Sequence, residues 1–326
     1  CHEENIMRRK MFFMLTNLQT GCIIALYENN RKRRKQMRKF VNPVIEGADP
    51  FLLYYEGRYY HYATSAPDGF IVHSSEDLAE WKDEGYCLKA GDGVMGDKWF
   101  WAPEVKRYKD KFYMVYVANE HLAVAVADKP TGPFTCPTKK WLSERNAIDG
   151  SFFIDDDGKI YLYYVRFDGG NVIYGAPMKD MFTLDEQNER ELVRASLPWE
   201  TRLGNVAEGP FMLKHNGKYY LTYTANDYRS PDYAVGYAVC DTPLGNFVKY
   251  EGNPILKKDD VQVGTGHHSF TTSRDGKEML IVYHVHKNKE EVHPRFTCVD
   301  RAEFTKNPHG GDDILKINVC HEKQSV

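Results

Sequence analysis

Three acidic residues begin similar stretches of this 326-residue chain. Asp49, Asp149 and Glu208 are each followed by a hydrophobic run, a turn and a Tyr-rich run. Asp149, Glu208 and also His267 lie nine residues before the glycine of the following turn, and Asp49 lies eight residues before it. If these stretches are repeats around an axis, their equivalent side chains converge on one cavity. Carboxyl groups gathered in this way can exchange protons with a bound substrate.

The elements that would position these acids are repeated β-hairpins. Between residues 45 and 305 a similar pattern recurs about every 45–60 residues, a period typical of propellers and arrays. Each unit contains a hairpin turn, and Asp-Gly or Asn-Gly suits the positive φ angles of a type I′ turn. The five turns lie at Glu56-Gly57, Lys109-Asp110, Asp157-Gly158, Asn216-Gly217 and Asp275-Gly276.

The strand content of each unit predicts the fold class. A further strand follows each hairpin, which makes about four short strands per unit, the content of one propeller blade. We therefore predict an all-β protein with a single five-bladed β-propeller. A two-sheet sandwich could use the same strands, but it does not account for similar phrases at the start of successive units. In a propeller the innermost strands begin near the axis, around one mouth of the channel. The candidates for this mouth are Asp49, Glu104, Asp149, Glu208 and His267.

Composition narrows the class of partner. The formal net charge of −3 gives no reason to expect nucleic acid or an anionic membrane as a partner. The 22 Tyr, 17 Phe and 5 Trp residues favour pleated, half-buried strands. Seven cysteines are scattered without a CxxC pair, which fits reduced thiols in the cytoplasm better than a disulfide framework; secretion is the alternative.

The first 39 residues differ from the rest of the chain. A basic start and an apolar run between Met7 and Leu26 resemble a signal peptide, but polar residues interrupt the run and no small-x-small cleavage site follows. No segment reaches the roughly 18 uninterrupted apolar residues of a membrane-spanning helix. We predict a leader or peripheral segment over residues 1–39 and the propeller over residues 40–326.

Five short motifs, one in each unit, resemble glycoside hydrolase family 43 over roughly residues 40–305. The motifs are Ala48-Asp49-Pro50, Trp101-Ala102-Pro103-Glu104-Val105, Ile148-Asp149-Gly150-Ser151-Phe152, Glu208-Gly209-Pro210 and Gly264-Thr265-Gly266-His267-His268-Ser269. Each motif alone is weak, whereas the ordered set is specific. The resemblance implies a five-bladed propeller enzyme that cleaves glycans containing xylose and arabinose.

The resemblance assigns a different role to each acid. It implies that Asp49 is the general base, Glu208 the general acid and Asp149 the residue that tunes and positions the acid. Hydrolysis with inversion requires a protonated acid on the leaving oxygen and an ionised base that holds a water on the opposite face, with carboxyl groups roughly 6.5–9.5 Å apart. A neighbouring carboxylate disfavours ionisation of the acid. Because members of the family invert, we expect inversion here.

The resemblance also implies further site residues. His267 would line the central channel and help to hold a divalent cation, usually Ca²⁺, mainly through water; a histidine that only forms hydrogen bonds there is the alternative. Arg295 would contact sugar hydroxyls and the tuning acid. Trp99, Phe100 and Trp101 could form the apolar wall against which a sugar ring packs, although aromatic residues at a blade entrance also often belong to the core.

The expected substrate is a small oligosaccharide. Because only about twenty residues follow Phe304, without room for a second β-sandwich, we expect an exo-acting enzyme. A β-D-xylosidase with α-L-arabinofuranosidase activity is the first prediction, and an α-L-arabinofuranosidase or an arabinanase is the alternative. Pocket enzymes of this kind often cover part of the rim with a neighbour, so a homo-oligomer is an open alternative to a monomer.

Two other classes of protein are compatible with parts of the sequence. His284-Val285-His286 with Glu290 and His293 resembles the metal-binding set of cupins, whose imidazole and carboxylate ligands suit a transition metal. The second cupin motif is not evident, and five repeats exceed what that barrel needs. A non-catalytic sugar-binding propeller would keep the aromatic residues but would not need three acids.

Overall fold

The chain folds into small antiparallel sheets. The structure is a computed structural model that describes residues 38–326, so the predicted leader at residues 1–39 lies almost entirely outside the described residues. Within residues 38–326 the strands form one three-stranded, two four-stranded and two five-stranded sheets. The one helix in this range is a 3₁₀ helix at Glu186–Asn188. No helix in this range has the length and apolar character required to cross a membrane.

Each sheet is formed by consecutive strands, apart from one two-residue N-terminal strand that joins the last sheet, and we number the sheets as blades 1 to 5 in chain order. The strands are β1 (Ile45–Glu46); in blade 1, β2 (Ala48–Tyr55), β3 (Arg58–Thr64), β4 (Gly69–Ser75) and β5 (Lys82–Lys89); in blade 2, β6 (Trp101–Tyr108), β7 (Lys111–Ala118) and β8 (His121–Ala127); in blade 3, β9 (Ile148–Ile154), β10 (Ile160–Phe167), β11 (Asn171–Asp180), β12 (Thr183–Leu184) and β13 (Arg190–Arg194); in blade 4, β14 (Ala207–His215), β15 (Lys218–Ala225), β16 (Ala234–Cys240) and β17 (Val248–Lys249); and in blade 5, β18 (Gly266–Thr272), β19 (Met279–Val285), β20 (Phe296–Thr305) and β21 (Ile314–Asn318).

The five innermost strands form a closed ring. β2, β6, β9, β14 and β18 contact one another in this order, and β18 also contacts β2. This arrangement is a five-bladed β-propeller, so the predicted fold class is confirmed. The prediction of about four strands per blade holds only on average, because the sheets contain three to five strands. Neighbouring blades pack through buried aromatic side chains, such as Phe70 of blade 1 against Phe100 and Tyr116.

Segments from the beginning and the end of the described domain complete blade 5. β1, which directly precedes blade 1, pairs with β20, and the Gly47 N–H donates to the Arg295 carbonyl at 3.0 Å. β21 pairs with a later part of β20, and a β-bridge joins Phe40 to Gln324. The first and last blades are therefore joined by backbone hydrogen bonds as well as by side-chain packing.

Candidate active site

Each innermost strand begins with the same irregularity. In every blade the pairing between the first and second strands shifts register near this point. The residue inside the bulge has a left-handed backbone, with φ between 43° and 56°. These residues are Asp49, Ala102, Asp149, Gly209 and His267. A bulge changes the direction of a side chain, and Asp tolerates left-handed φ better than most other residues. The bulges therefore direct the side chains of Asp49, Asp149 and His267 towards the axis.

The structure corrects one part of the comparison between repeats. Glu208 precedes the bulge residue Gly209, so its equivalent in blade 1 is Ala48 and not Asp49. The equal nine-residue spacing of Asp149 and Glu208 arises because the hairpin of blade 3 has a longer loop and shorter paired arms than the hairpin of blade 4. Glu208 thus reaches the axis from a position that differs from that of the two aspartates.

A pocket of about 870 Å³ lies over these bulges and is lined by residues of all five blades. The predicted site residues that line it are Asp49, Asp149, Glu208, Trp101, Arg295 and His267. Its volume is within the range of pockets that bind small molecules. The convergence predicted for the three acids is therefore present, and each acid comes from a different blade.

Asp49 is surrounded by groups that favour its carboxylate form. Arg295 Nη1 donates to Asp49 Oδ1 at 2.9 Å, and the Thr64 hydroxyl donates to Oδ2 at 2.7 Å. Nδ1 of His267 and Nδ1 of His284 each lie 3.4 Å from Oδ1. Burial by itself would raise the pKa of Asp49, but these neighbours, Arg295 first, hold it well below its usual value. Asp49 is therefore ionised at neutral pH and can accept a proton.

His284 contributes a neutral ring to this cluster. The backbone N–H of Asp49 donates to His284 Nδ1 at 3.1 Å, so the ring proton belongs on Nε2. Nε2 then cannot accept a hydrogen bond from Arg295 Nη1, which lies 3.4 Å away. Burial and the neighbouring guanidinium hold the pKa of His284 well below its usual value. Because the ring is neutral, the charged partner of the Asp49 carboxylate in this cluster is Arg295.

Glu208 has the opposite environment. Its Oε1 accepts a hydrogen bond from the Tyr233 hydroxyl at 2.6 Å, and its Oε2 accepts one from Asn171 Nδ2 at 2.8 Å. Burial raises the pKa of Glu208 to about 7, because it outweighs these two hydrogen bonds, and the carboxylates of Asp49 and Asp227 add to the rise. Near neutral pH Glu208 is therefore protonated in a large fraction of the enzyme molecules and can donate this proton.

Asp149 is close enough to both other acids to interact with their charges. Its Oδ2 accepts a hydrogen bond from the Gly209 N–H at 3.1 Å and lies 3.9 Å from His267 Nδ1. Burial raises the pKa of Asp149, and the carboxylates of Glu208 and Asp49 raise it further. Because nearby carboxylates resist joint ionisation, the raised pKa values of both groups favour the protonated form within the Asp149–Glu208 pair.

A smaller cavity of about 30 Å³ adjoins the pocket and is lined by the starts of all five innermost strands. Its lining includes His267 and Glu104, and the Glu104 carboxylate accepts the Phe152 N–H at 2.8 Å. Within residues 38–326 no group of three or more His, Cys, Asp or Glu side chains is placed to hold a metal ion. Burial lowers the pKa of His267, which leaves a neutral ring nitrogen available. Ca²⁺ prefers six to eight oxygen ligands, so a cation here would depend mainly on water.

The three predicted aromatic residues have different environments. Trp101 lines the pocket and stacks on Trp99, with ring centroids 6.0 Å apart. Trp99 does not line the pocket; it is 46% exposed, and Lys98 Nζ lies 4.1 Å from the centroid of its ring. Phe100 is 1% exposed and stacks on Tyr116 in the core. Trp101 is thus the member of this group that a bound sugar can reach directly, and Phe100 is a core residue.

The structure also bears on two other sequence interpretations. Arg295, expected beside the tuning acid, forms its ion pair with Asp49, and its charge also acts to lower the pKa of Asp149. The cupin-like set is dispersed: His286 Nε2 lies 2.7 Å from the Tyr228 carbonyl oxygen, and Glu290 is in an exposed loop. The propeller fold also excludes the cupin interpretation.

The sequence analysis did not identify several residues that contact the acids. They are Thr64, Asn171, Tyr233 and His284. A simple rule could have found two of them, because the end of the second strand in a hairpin lies opposite the start of the first. Thr64 pairs with Ala48, and His284 pairs with Gly266. Asn171 begins the third strand of blade 3, Tyr233 directly precedes the third strand of blade 4, and no local motif marks either residue.

Comparison with known proteins identifies the family to which the chain belongs. The sequence model of the glycosyl hydrolases family 43 matches residues 40–308. A β-D-galactofuranosidase of Aspergillus niger is 28% identical and covers 86% of this chain and 86% of its own length. A β-xylosidase of Xylanibacter ruminicola is 29% identical over 83% of this chain and 98% of its own length. An arabinoxylan arabinofuranohydrolase of Paenibacillus polymyxa is 29% identical over 74% of this chain, which spans only 46% of that protein.

Solved structures show the same relationship. An endo-1,4-β-xylanase from Bacteroides thetaiotaomicron has 39% identity and a TM-score of 0.79, and the match covers 87% of this chain and 99% of that one. A thermostable family-43 glycoside hydrolase has 39% identity and a TM-score of 0.78, with 86% and 96% coverage. The chain therefore belongs to glycoside hydrolase family 43, and it is a glycoside hydrolase.

Proposed function

We propose that this enzyme is an exo-acting, inverting hydrolase that releases pentose from xylo-oligosaccharides, most simply a β-D-xylosidase with α-L-arabinofuranosidase activity. One observation carries the proposal of acid and base roles. Two carboxyl groups in one pocket have opposite protonation preferences, because Arg295 keeps Asp49 ionised while burial raises the pKa of Glu208 to about 7. An inverting glycosidase needs this pair of states at neutral pH.

In the proposed mechanism Asp49 is the general base and Glu208 the general acid. A water held by Asp49 attacks the anomeric carbon as the glycosidic bond breaks. The water proton passes to Asp49, and the Glu208 proton passes to the leaving oxygen. The free sugar then has the opposite anomeric configuration. Proton exchange with solvent restores the ionised Asp49 and the protonated Glu208 for the next cycle.

Asp149 is proposed to tune and position the acid. Its carboxyl group accepts the N–H of Gly209, which directly follows Glu208 in the chain. This bond ties the backbone beside the acid to blade 3. When Asp149 is ionised, its negative charge disfavours ionisation of Glu208. Asp149 thus acts on the protonation of the acid and on its placement, without taking the proton that is transferred.

Exo action on short chains is part of the proposal. The pocket is lined by residues of all five blades, and its volume of about 870 Å³ is that of a small-molecule site. Trp101 offers an aromatic face to a sugar ring, and Arg295 presents N–H donors beside Asp49. Arg295 is proposed to contact sugar hydroxyls with the donors that Asp49 does not use.

A Ca²⁺ ion near His267 is proposed as an accessory to this site. The support is limited to a neutral imidazole at a small axial cavity. A cation there would favour the ionised forms of nearby carboxylates, of which Asp49 lies 3.4 Å from His267 Nδ1. Water would supply most of its ligands.

The first experiment compares hydrolysis rates on 4-nitrophenyl β-D-xylopyranoside, α-L-arabinofuranoside and β-D-galactofuranoside. The three sugars correspond to the activities for which the similar proteins are named. We expect the highest kcat/KM on the xyloside. Preference for either furanoside would reassign the main substrate, and rapid mid-chain cleavage of xylan would reject exo action.

The second experiment tests the roles of the acids. Asp49→Ala and Glu208→Ala should each lower kcat/KM on xylobiose by at least about 10³-fold, because each removes one partner of the acid–base pair. Proton NMR of the first product should show the inverted anomer. Retained activity in either variant, or a product with retained configuration, would reject the mechanism.

A further inference from the structure

We infer that Tyr233 and His284 form a buried link that positions the acid and the base together; the inference rests on the proposed roles of Glu208 and Asp49. Both side chains are fully buried. Tyr233 binds Glu208 Oε1 at 2.6 Å, and His284 accepts the Asp49 N–H at 3.1 Å. Their two rings stack on each other, with centroids 5.6 Å apart and planes 14° apart.

Tyr233 fixes which oxygen of Glu208 faces the substrate. Because Tyr233 is sealed from solvent, its hydroxyl holds Oε1 towards the protein interior. Asn171 lines the pocket and binds Oε2, and its amide nitrogen can only donate. One lone pair of Oε2 therefore accepts from Asn171, and the other is the position from which a proton can reach the leaving oxygen. As the proton leaves, the Tyr233 hydroxyl stabilises the carboxylate that forms.

His284 fixes the backbone that carries the base. The left-handed bulge takes the N–H of Asp49 out of the strand ladder, and this N–H needs another acceptor. At two other bulges a threonine from the preceding blade has this function. Thr64 accepts the N–H of Ala102 at 3.0 Å, and Thr224 accepts the N–H of His267 at 2.9 Å.

The strand pairing shows that His284 occupies the threonine position of blade 5. Thr64, Thr224 and His284 each pair with the residue that immediately precedes the bulge of their own blade. A threonine there could accept the N–H of Asp49, but it could not reach Tyr233. The imidazole does both, because its nitrogen faces blade 1 and its face covers the Tyr233 ring.

The packing around the link leaves it little freedom. A Cβ on Gly266 would lie 2.4 Å from the Tyr233 ring, so the absence of a side chain at this position makes room for the tyrosine. Gly266 is also the strand partner of His284. Tyr233 and His284 are thus positioning residues. They act on substrate through the two carboxyl groups.

The test of Tyr233 compares two substrates whose leaving groups differ in their need for protonation. A good leaving group departs without protonation, whereas a sugar leaving group needs the acid. Tyr233→Phe keeps the stacked ring and removes the hydroxyl. We expect kcat/KM on xylobiose to fall about tenfold or more, with less than about a twofold change on 2,4-dinitrophenyl β-D-xyloside. Tyr237→Phe is the matched control, because it removes the hydroxyl of a buried tyrosine four residues further along the chain, on β16; it should leave the ratio of kcat/KM on the two substrates unchanged.

The test of His284 compares two replacements. His284→Thr installs the residue found at the equivalent position of blades 1 and 4 and keeps an acceptor for the Asp49 N–H, whereas His284→Val removes it. Because the base serves every substrate, we expect His284→Val to lower kcat about tenfold on both leaving groups, with KM nearly unchanged. His284→Thr should recover most of this loss.

The outcomes separate this inference from the proposed function. If Glu208→Ala is inactive on xylobiose but Tyr233→Phe affects both leaving groups equally or neither, only the inferred role of Tyr233 is wrong. Equal kcat values for His284→Thr and His284→Val would overturn the role of His284. Thermal unfolding of each variant identifies a loss of fold. If Tyr233→Phe does not fold, the His284 pair still decides whether the link positions the base. Activity of Glu208→Ala on xylobiose would reject the proposed mechanism itself.

Discussion

Replacing Arg295 with methionine should move the acidic limb of the pH profile. Arg295 Nη1 lies 2.9 Å from Asp49 Oδ1, and both side chains are 11% exposed. Two unit charges about 4 Å apart interact with about 4 kcal/mol at an effective dielectric constant of 20, equivalent to about three pKa units. An opposite charge at this range typically lowers a carboxyl pKa by about 1–3 units. Without Arg295, burial acts against a carboxylate that retains the Thr64 hydrogen bond.

The direction in which the acidic limb moves follows from the role proposed for Asp49. Loss of Arg295 raises the pKa of Asp49, so the ionised base disappears at a higher pH and the acidic limb of kcat/KM moves up by about 1–3 pH units. Because methionine leaves the buried Asp49 carboxylate without its charged partner, we also expect a lower free energy of unfolding, and loss of the buried Arg295 Nε–H, for which residues 38–326 provide no partner, offsets only part of this.

The assay is a pH profile of kcat/KM on 4-nitrophenyl xyloside, measured with and without EDTA because a cation near Asp49 would act in the same direction as Arg295. Arg58→Met is the control, since it removes a more exposed ion pair with Glu76. The control profile should coincide with that of the wild type. An unchanged acidic limb in a folded Arg295→Met enzyme would refute the argument that Arg295 holds the pKa of Asp49 low.

Because burial raises the pKa of Glu208 to about 7 and activity requires the protonated acid, the alkaline limb of the wild-type profile should fall with a midpoint near pH 7. A rate that stays constant to pH 9 would contradict this expectation. Chelation with EDTA should lower turnover and Ca²⁺ should restore it if a cation at His267 supports the site; unchanged turnover would argue against that role. Gly264→Ala should lower the free energy of unfolding by about 2–4 kcal/mol, because the added Cβ would lie 2.0 Å from the His286 ring. Gly57 also has a left-handed φ but lies in open space, so Gly57→Ala should cost only about 1 kcal/mol. Equal denaturation midpoints for the two variants would refute the packing argument. Phe167 lines the pocket and is 47% exposed, so Phe167→Ala should raise KM for xylotriose more than for xylobiose, and equal effects would place it outside the substrate path.

Local sequence signals were sufficient for the fold. Turn dipeptides such as Asn216-Gly217 define each hairpin through their own backbone preferences, and the five hairpins fall in five separate blades. The pairing of β1 with β20 could not be predicted in this way. It joins two-residue segments about 250 residues apart, and nothing in Ile45–Glu46 itself distinguishes it from a connecting loop.

The acids were easier to predict than their surroundings. Asp49 and Asp149 could be located because bulge residues recur at similar distances from a turn. Glu208 was found by a spacing that matched for the wrong reason, since a change in hairpin length compensated for its shifted position. The partners Asn171 and Tyr233 depend on how blades 3 and 4 face each other. That orientation is a property of the assembled ring and not of any short segment.

The pairing of β1 with β20 also affects how the enzyme loses activity. Asp49 follows β1 closely in the chain, and Arg295 directly precedes β20, so their ion pair spans the junction between the first and last blades. Separation of this junction would remove Arg295 and His284 from Asp49 while the other blades remained folded. Hydrolytic activity would then be lost before the bulk of the β-structure on heating or in denaturant. If Asp49 has the proposed role, activity measurements would therefore detect the opening of this junction earlier than spectroscopic measurements of the β-structure.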